Sequence, residues 1–207
     1  MTNLQGVVLE AADVAAAERF LKEAFGLDER VRVRESAADT SGFRGFTLSL
    51  TVGQPSTVTS LFDSAVAAGA TVIKPVTKSL WGYGGVVQAP DGTIWKVATS
   101  AKKDTGPATR AIDSVVLLLA CSDVAVTKKF YLDHGLTVAK SFGRKYVEFD
   151  ATGSVKLGLY GRKALAKDAG VPVEGSGSHR IVLRGDAGDF VDPDGFAWEP
   201  AERLADR

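Results

Sequence analysis

The sequence has little to build a redox or metal centre from, with one cysteine and two histidines in 207 residues. A single thiol, Cys121, excludes an intrachain disulfide, a cysteine-rich metal site and a secreted disulfide scaffold. Charge of one sign is also lacking: 25 basic and 25 acidic residues cancel, so no strong field invites nucleic acid or an anionic membrane. No apolar run reaches the length of a membrane span, and no basic segment followed by an apolar run opens the chain. A soluble cytoplasmic protein is the expectation. Walker loop, dinucleotide fingerprint and Ser/His/Asp order are all absent, and Gly84-Gly85 is too short for a phosphate cradle.

What the chain does have is a motif used twice. Ala89-Pro-Asp-Gly-Thr-Ile-Trp-Lys96 returns as Val191-Asp-Pro-Asp-Gly-Phe-Ala-Trp-Glu199. Proline presets one backbone angle, aspartate bonds the local backbone and glycine takes the positive φ, which is the chemistry of a tight turn. Alternation after each turn reads as a strand, with Ile94 and Lys96 on one face and Trp95 and Val97 on the other. A matching start lies upstream: Leu4-Gln-Gly-Val-Val-Leu-Glu-Ala-Ala-Asp-Val-Ala15 is similar to Ile112-Asp-Ser-Val-Val-Leu-Leu-Leu-Ala-Cys-Ser-Asp-Val-Ala125. The offset of roughly 105–110 residues suits tandem modules rather than a solenoid.

The spacing predicts strands over Gln5–Glu10, Arg30–Glu35, around Phe46, Leu48 and Leu50, Thr71–Lys74 and Val86–Gln88, with Pro75 barring extension of the fourth. Helices are expected from the Asp13 cap to Gly26 and from Pro55 to Gly69. The second module repeats the capped helix at Asp123 and strands at Lys145–Phe149, Val155–Tyr160 and His179–Arg184. It has a short helix over Arg162–Asp168 and no counterpart of the Val58–Ala68 helix. The division is a first module over 1–101, a polar linker over 102–110 and a shortened second module over 111–207.

Two βαβββ-like units opening on an apolar strand with an Asp-Val-Ala helix start and closing on Pro-Asp-Gly-x-x-Trp resemble the vicinal oxygen chelate superfamily. This is the group of glyoxalases, bleomycin-resistance proteins and extradiol dioxygenases. The run from Ala67 to Pro75 and on through Trp81-Gly-Tyr-Gly-Gly85 is similar to its glyoxalase-like branch. The resemblance implies an α+β fold, two tandem βαβββ-type modules forming curled mixed sheets with the second module abbreviated. It also implies a pocket on or between the sheets, whose enzymes hold a divalent metal through an early and a late strand position. Those positions fall here on Gly6 beside Gln5, on Ser114 beside Asp113, on Lys96 and on Glu199. An ammonium cannot ligate while charged, and too few donors remain for a catalytic site.

The expectation is therefore a protein that binds a small aromatic or apolar organic molecule without metal. Trp81, Tyr83, Phe46 and Arg44 are expected to line the pocket, with Lys96, His179 and Glu199 as its polar or catalytic groups. Were it an enzyme without metal, Glu199 or His179 would move a proton beside a substrate carbonyl and Lys96 would stabilise the oxyanion. The alternative is a metal-dependent lyase, isomerase or dioxygenase using zinc, manganese or iron held by Glu199, His179 and Gln5 or Asp113. A structural or regulatory module is a third class, favoured if the pocket is filled by the protein's own side chains. A homodimer is compatible with each. Trp95, Trp198 and Cys121 read as core, His134 as a helix-end residue, and Arg144-Lys145 and Arg162-Lys163 as local, solvated basic pairs.

Overall fold

A computed structural model of the chain describes residues 2–27, 29–80 and 82–201. The first half runs β1 (Leu4–Ala11), α1 (Val14–Phe25), β2 (Val31–Glu35), β3 (Thr40–Gly42), β4 (Phe46–Thr51), α2 (Pro55–Ala67), β5 (Thr71–Ser79), β6 (Gly82–Gln88) and β7 (Ile94–Thr99). The second runs β8 (Ser114–Cys121), α3 (Val124–Asp133), β9 (Val138–Phe142), β10 (Tyr146–Phe149), β11 (Val155–Gly161) and α4 (Arg162–Ala169). It ends with β12 (Gly175–Gly177), β13 (Ile181–Gly185), β14 (Phe190–Val191) and β15 (Ala197–Pro200). The fold is α+β with mixed sheets.

Local chemistry sets the element ends. The Asp13 carboxylate accepts from the Ala16 amide at 2.9 Å, and Asp123 accepts from the Ala125 amide at 2.8 Å, each satisfying a first-turn donor of its helix. Both Pro-Asp-Gly turns close on a left-handed glycine, Gly92 at φ 90° and Gly195 at φ 92°. Pro75 does not end its strand. β5 continues to Ser79 because it is a sheet edge whose register against β6 shifts between Val72 and Lys74 and again between Lys74 and Thr77, so no ladder donor is demanded of the proline. The glycine-rich segment is strand from Gly82 onward. β9 is an additional edge strand, unmarked in the sequence because four of its five residues are exposed.

Strand pairing ignores the module boundary. An eight-stranded sheet has the order β5-β6-β7-β4-β8-β11-β10-β9 and a five-stranded sheet β14-β15-β13-β1-β2. The halves of the larger are joined where β4 meets β8 antiparallel, with Leu48 opposite Leu117 and Leu50 opposite Val115. In the smaller, β1 meets β13 antiparallel, with Val7 opposite Leu183. The repeated closing strands thus end up in different sheets, β7 in the larger and β15 in the smaller. The main core joins Leu48, Trp95 and Leu117 of the larger sheet to Val7, Leu183 and Trp198 of the smaller, with Phe25, Leu61 and Tyr131 supplied by α1, α2 and α3.

The polar stretch between the halves is docked through side-chain bonds. Buried Gln54 donates to the carbonyls of Gly106 (3.1 Å) and Pro107 (2.7 Å) and accepts from the Thr105 amide at 2.9 Å. Asp104 accepts from the Ser56 amide at the start of α2, and Arg110 donates to the Ala24 carbonyl at the end of α1, so this segment caps two helices of the first half. No helix among the described residues is long and apolar enough to cross a membrane.

A helix does follow β11 as α2 follows β4, but the two pack on opposite faces of the large sheet. α2 buries Val58, Leu61 and Phe62 in the main core alongside Val87, Trp95 and Val97. α4 buries Leu165, Ala166 and Ala169 against Val86, Ile94, Ala120 and Phe43. Because neighbours on a strand alternate faces, Val86 and Val87 mark the two sides. The eight-residue α4 thus lies across the sheet face away from α1, α2 and α3.

Candidate functional site

The α4 face of the large sheet can be read row by row from strand register. Val86 pairs with Lys96, Lys96 with Ser49, Ser49 with Val116 and Val116 with Lys156, a line across five strands with two ammonium groups, one hydroxyl and no carboxylate or imidazole. Among the described residues no three His, Cys, Asp or Glu side chains come together to hold an ion. Elsewhere, Gln5 donates to Asp186 at 2.6 Å, while Ser114 exchanges a short hydrogen bond with the Thr51 hydroxyl. This donor set does not fit the divalent metal of the family resemblance, whose ligands are carboxylates, imidazoles and amide oxygens.

Lys96 is instead fastened to the covering helix. Its Nζ lies 2.9 and 3.1 Å from the two carboxylate oxygens of Asp168, and Lys74 Nζ donates to the carbonyls of Lys167 (2.9 Å) and Asp168 (2.6 Å) at the end of α4. A cation at the carbonyl end of a helix satisfies otherwise unpaired acceptors and complements the dipole. Beside this clamp, between α4 and β5 to β7, is a groove of about 680 Å³ whose lining includes Thr77, Tyr83, Gly84, Lys96, Asp113 and Asp168. Gly84 in this lining has no room for a side chain, since a Cβ there would stand 2.8 Å from the Val97 carbonyl oxygen of the paired strand. The Lys96 and Asp168 side chains are 35% and 38% exposed, which holds an ion pair to about 1 kcal/mol or less. Urea unfolding of Lys96→Ala is therefore expected to show a loss of no more than about 1 kcal/mol, shrinking in high salt.

The sequence-derived site residues do not converge. Lys96 lies in the groove and Tyr83 borders it, but the Tyr83 side chain turns to the opposite face of the sheet, where it packs against the main core and its hydroxyl lies 3.1 Å from that of Thr59 on α2; a role for its ring in the groove is thereby corrected. Phe46 belongs to the main core, because its strand directs Phe46, Leu48 and Leu50 toward the helices; a pocket role is thereby corrected. Glu199 sits on the smaller sheet and accepts from Arg34 at 2.9 Å, a guanidinium that also donates to Glu10. Burial of Arg34 lowers its pKa, but bonds to Glu199 and Glu10 outweigh this and leave it raised.

His179 is a structural clip. Its Nδ1 donates to the Arg44 carbonyl at 2.6 Å, its Nε2 lies 3.0 Å from the Asp194 carbonyl, and its ring stacks on Phe196 at 4.0 Å. The Gly-Ser-Gly approach to it is not loose, because Gly175–Gly177 pairs with Thr40–Gly42 as β12 and β3. Arg44 donates to the Asp91 carbonyl at 2.6 Å; burial lowers its pKa, Arg180 adds to the lowering and Asp91 opposes it. It lines a separate hollow of about 270 Å³ with Glu10 and Arg180. Trp81 lies outside the described residues.

On the other side of α4, a hollow of about 770 Å³ is lined by residues left out of the sequence-derived pocket: Phe142, Tyr146 and Tyr160 as walls, with Arg144, Lys145, Arg162 and Lys163 around them. The β9–β10 hairpin tip brings the first basic pair to the start of α4, which carries the second. The two pairs thus border one hollow, with Arg144, Lys145 and Lys163 exposed to solvent and Arg162 half-buried. Cys121 also borders this hollow but is buried, and burial pushes its thiol well up, with Asp194 adding to the effect. A thiol so held is not a nucleophile at neutral pH.

No protein-family model and no curated protein matches the sequence. Solved structures do match in shape. A point mutant of glyoxalase I from Zea mays superposes with a TM-score of 0.62 at 14% identity, covering 96% of this chain and 93% of that one. The unmutated glyoxalase I from Zea mays gives 0.60 at 14% identity, covering 96% and 91%. A Bacillus subtilis protein provisionally described as a dioxygenase gives 0.54 at 9% identity, covering 88% and 69%.

Proposed function

From a chain that carries the two-module glyoxalase fold of the vicinal oxygen chelate proteins, we propose that the α4 face of the large sheet binds a small aromatic or apolar organic molecule without a metal ion. The observation that carries this reading is the row Val86, Lys96, Ser49, Val116 and Lys156, which offers two ammonium groups and one hydroxyl and no carboxylate or imidazole. Spaces of about 680 and 770 Å³ on the two sides of α4 are of the size that takes a drug-sized molecule.

Binding is favoured over turnover by the separation of the candidate groups. Proton transfer next to a carbonyl needs a base and an oxyanion donor within hydrogen-bond reach of one substrate. Here Lys96 is engaged by Asp168, Glu199 by Arg34 on the other sheet, and His179 by two backbone carbonyls. Affinity would then come from apolar walls with a few placed polar groups.

Elemental analysis after loading with zinc, manganese or iron and desalting is the test. Retention below about a tenth of an equivalent is expected, because a stable transition-metal site needs about three or four protein ligands. Near-stoichiometric metal that disappears in Glu199→Ala would overturn the metal-free reading. A small-molecule thermal-shift screen, with hits mapped by protein-observed NMR, would locate the occupied face.

A further inference from the structure

On the reading that this sheet face binds a small organic molecule, we propose that the hollow between α4 and the β9–β11 strands is selective for an aromatic carboxylate, its ring against Phe142, Tyr146 and Tyr160 and its anionic group at the basic cluster. The walls are preformed. Tyr146 and Tyr160 stand edge to face at 5.8 Å, and Phe142 lies 6.1 Å from Tyr146. Phe142 is 64% exposed on its edge strand, an aromatic face left in water whose burial by a flat ring would be favourable.

Charge complementarity identifies the occupant. Four of the twelve lining residues are basic and none is Asp or Glu. Arg144, Lys145 and Lys163 make no ion pair with a carboxylate among the described residues. Arg162 is fixed rather than free, donating to the carbonyls of Phe43 (2.9 Å) and Val173 (3.2 Å) with its guanidinium over the Phe43 ring at 5.1 Å. The positive edge is reinforced by the start of α4: its N-cap, Gly161, has no side chain to satisfy the first-turn amides, and Lys163 and Ala164 of that turn border the hollow. Burial, with Glu148 adding, pushes Tyr146 up to about 12, so its phenol stays neutral and adds no negative charge to the wall.

The test compares three probes of one shape, 2-naphthoate, 2-naphthylmethanol and 2-naphthylmethylammonium, titrated into the full chain by calorimetry and protein-observed NMR. The expected order is naphthoate tightest, by at least about fivefold over the alcohol, a modest margin for a partly solvated charge contact, and the ammonium weakest. Arg144→Gln with Lys145→Gln should remove the preference for naphthoate while leaving the alcohol's affinity unchanged, and Phe142→Ala should weaken all three.

Equal affinity across the charge series would overturn the proposal, as would absence of binding by all three. Naphthoate shifts confined to Tyr83 and Lys96 would also overturn it, while leaving small-molecule binding on this sheet face intact. Sedimentation of the Phe142→Ala variant closes the remaining route: a wild-type dimer that this change dissociates, with naphthoate binding unaffected, would assign the aromatic hollow to a second copy of the chain and overturn the ligand.

Discussion

Tyr131→Phe is expected to lower the unfolding free energy by about 2–6 kcal/mol, from two buried groups left unpaired at about 1–3 kcal/mol each. Tyr131 is fully buried on α3; its hydroxyl donates to Asp192 at 2.8 Å and accepts from the Trp198 indole at 3.0 Å. Loss of one oxygen therefore strands an indole N–H and a carboxylate oxygen in the core. Asp192 gives the loss a pH signature. Burial raises its pKa, while the Phe196 amide, the Tyr131 hydroxyl and the Asp194 amide oppose the rise. A carboxyl raised in the folded state contributes stability that is fully present below its unfolded value and is lost as pH rises through its folded value. Removing the Tyr131 donor raises the folded value further, so the variant's deficit should be larger at neutral pH and shrink on acidification toward the unfolded value. Urea denaturation at the two ends of that range measures this; equal deficits would detach Asp192 from the effect.

Leu117→Ala is expected to cost about 2–5 kcal/mol, the range for a fully buried leucine whose cavity cannot collapse. Leu117 has no exposed surface and stands opposite the equally buried Leu48 across the β4·β8 seam. Since that seam joins the halves, the variant should unfold in one transition at lower denaturant, with Trp fluorescence and far-ultraviolet circular dichroism coincident. Two separated transitions would contradict a core shared by both halves.

The sequence made local features legible because local chemistry determines them. Asp13 and Asp123 cap their helices, Gly92 and Gly195 turn the chain with positive φ, and alternation along β4 and β7 assigns Leu48 and Trp95 to the core. Strand partners are not local information. Repeat symmetry correctly equates Lys96 with Glu199, yet β7 pairs with β4 in one sheet and β15 with β13 in the other, so the equivalent residues never share a site. For the same reason the sequence does not show that Arg144-Lys145 and Arg162-Lys163 border one hollow, which follows from β10 and β11 bringing the hairpin tip to the start of α4. Asp168 could not be foreseen as the partner of Lys96, because sequence gives the helical period of α4 but not the face of the sheet on which it lies.

Each half contributes strands to both sheets, and each would expose two open edges if separated: β1 and β4 from the first half, β8 and β13 from the second. The molecule is thus a tethered dimer of unequal halves. Its linker raises the effective concentration of one half around the other to the order of millimolar and fixes which edges meet. Its stability is an assembly energy made intramolecular, so chain continuity between β7 and β8 is itself a stabilising element, independent of any contact the linker makes.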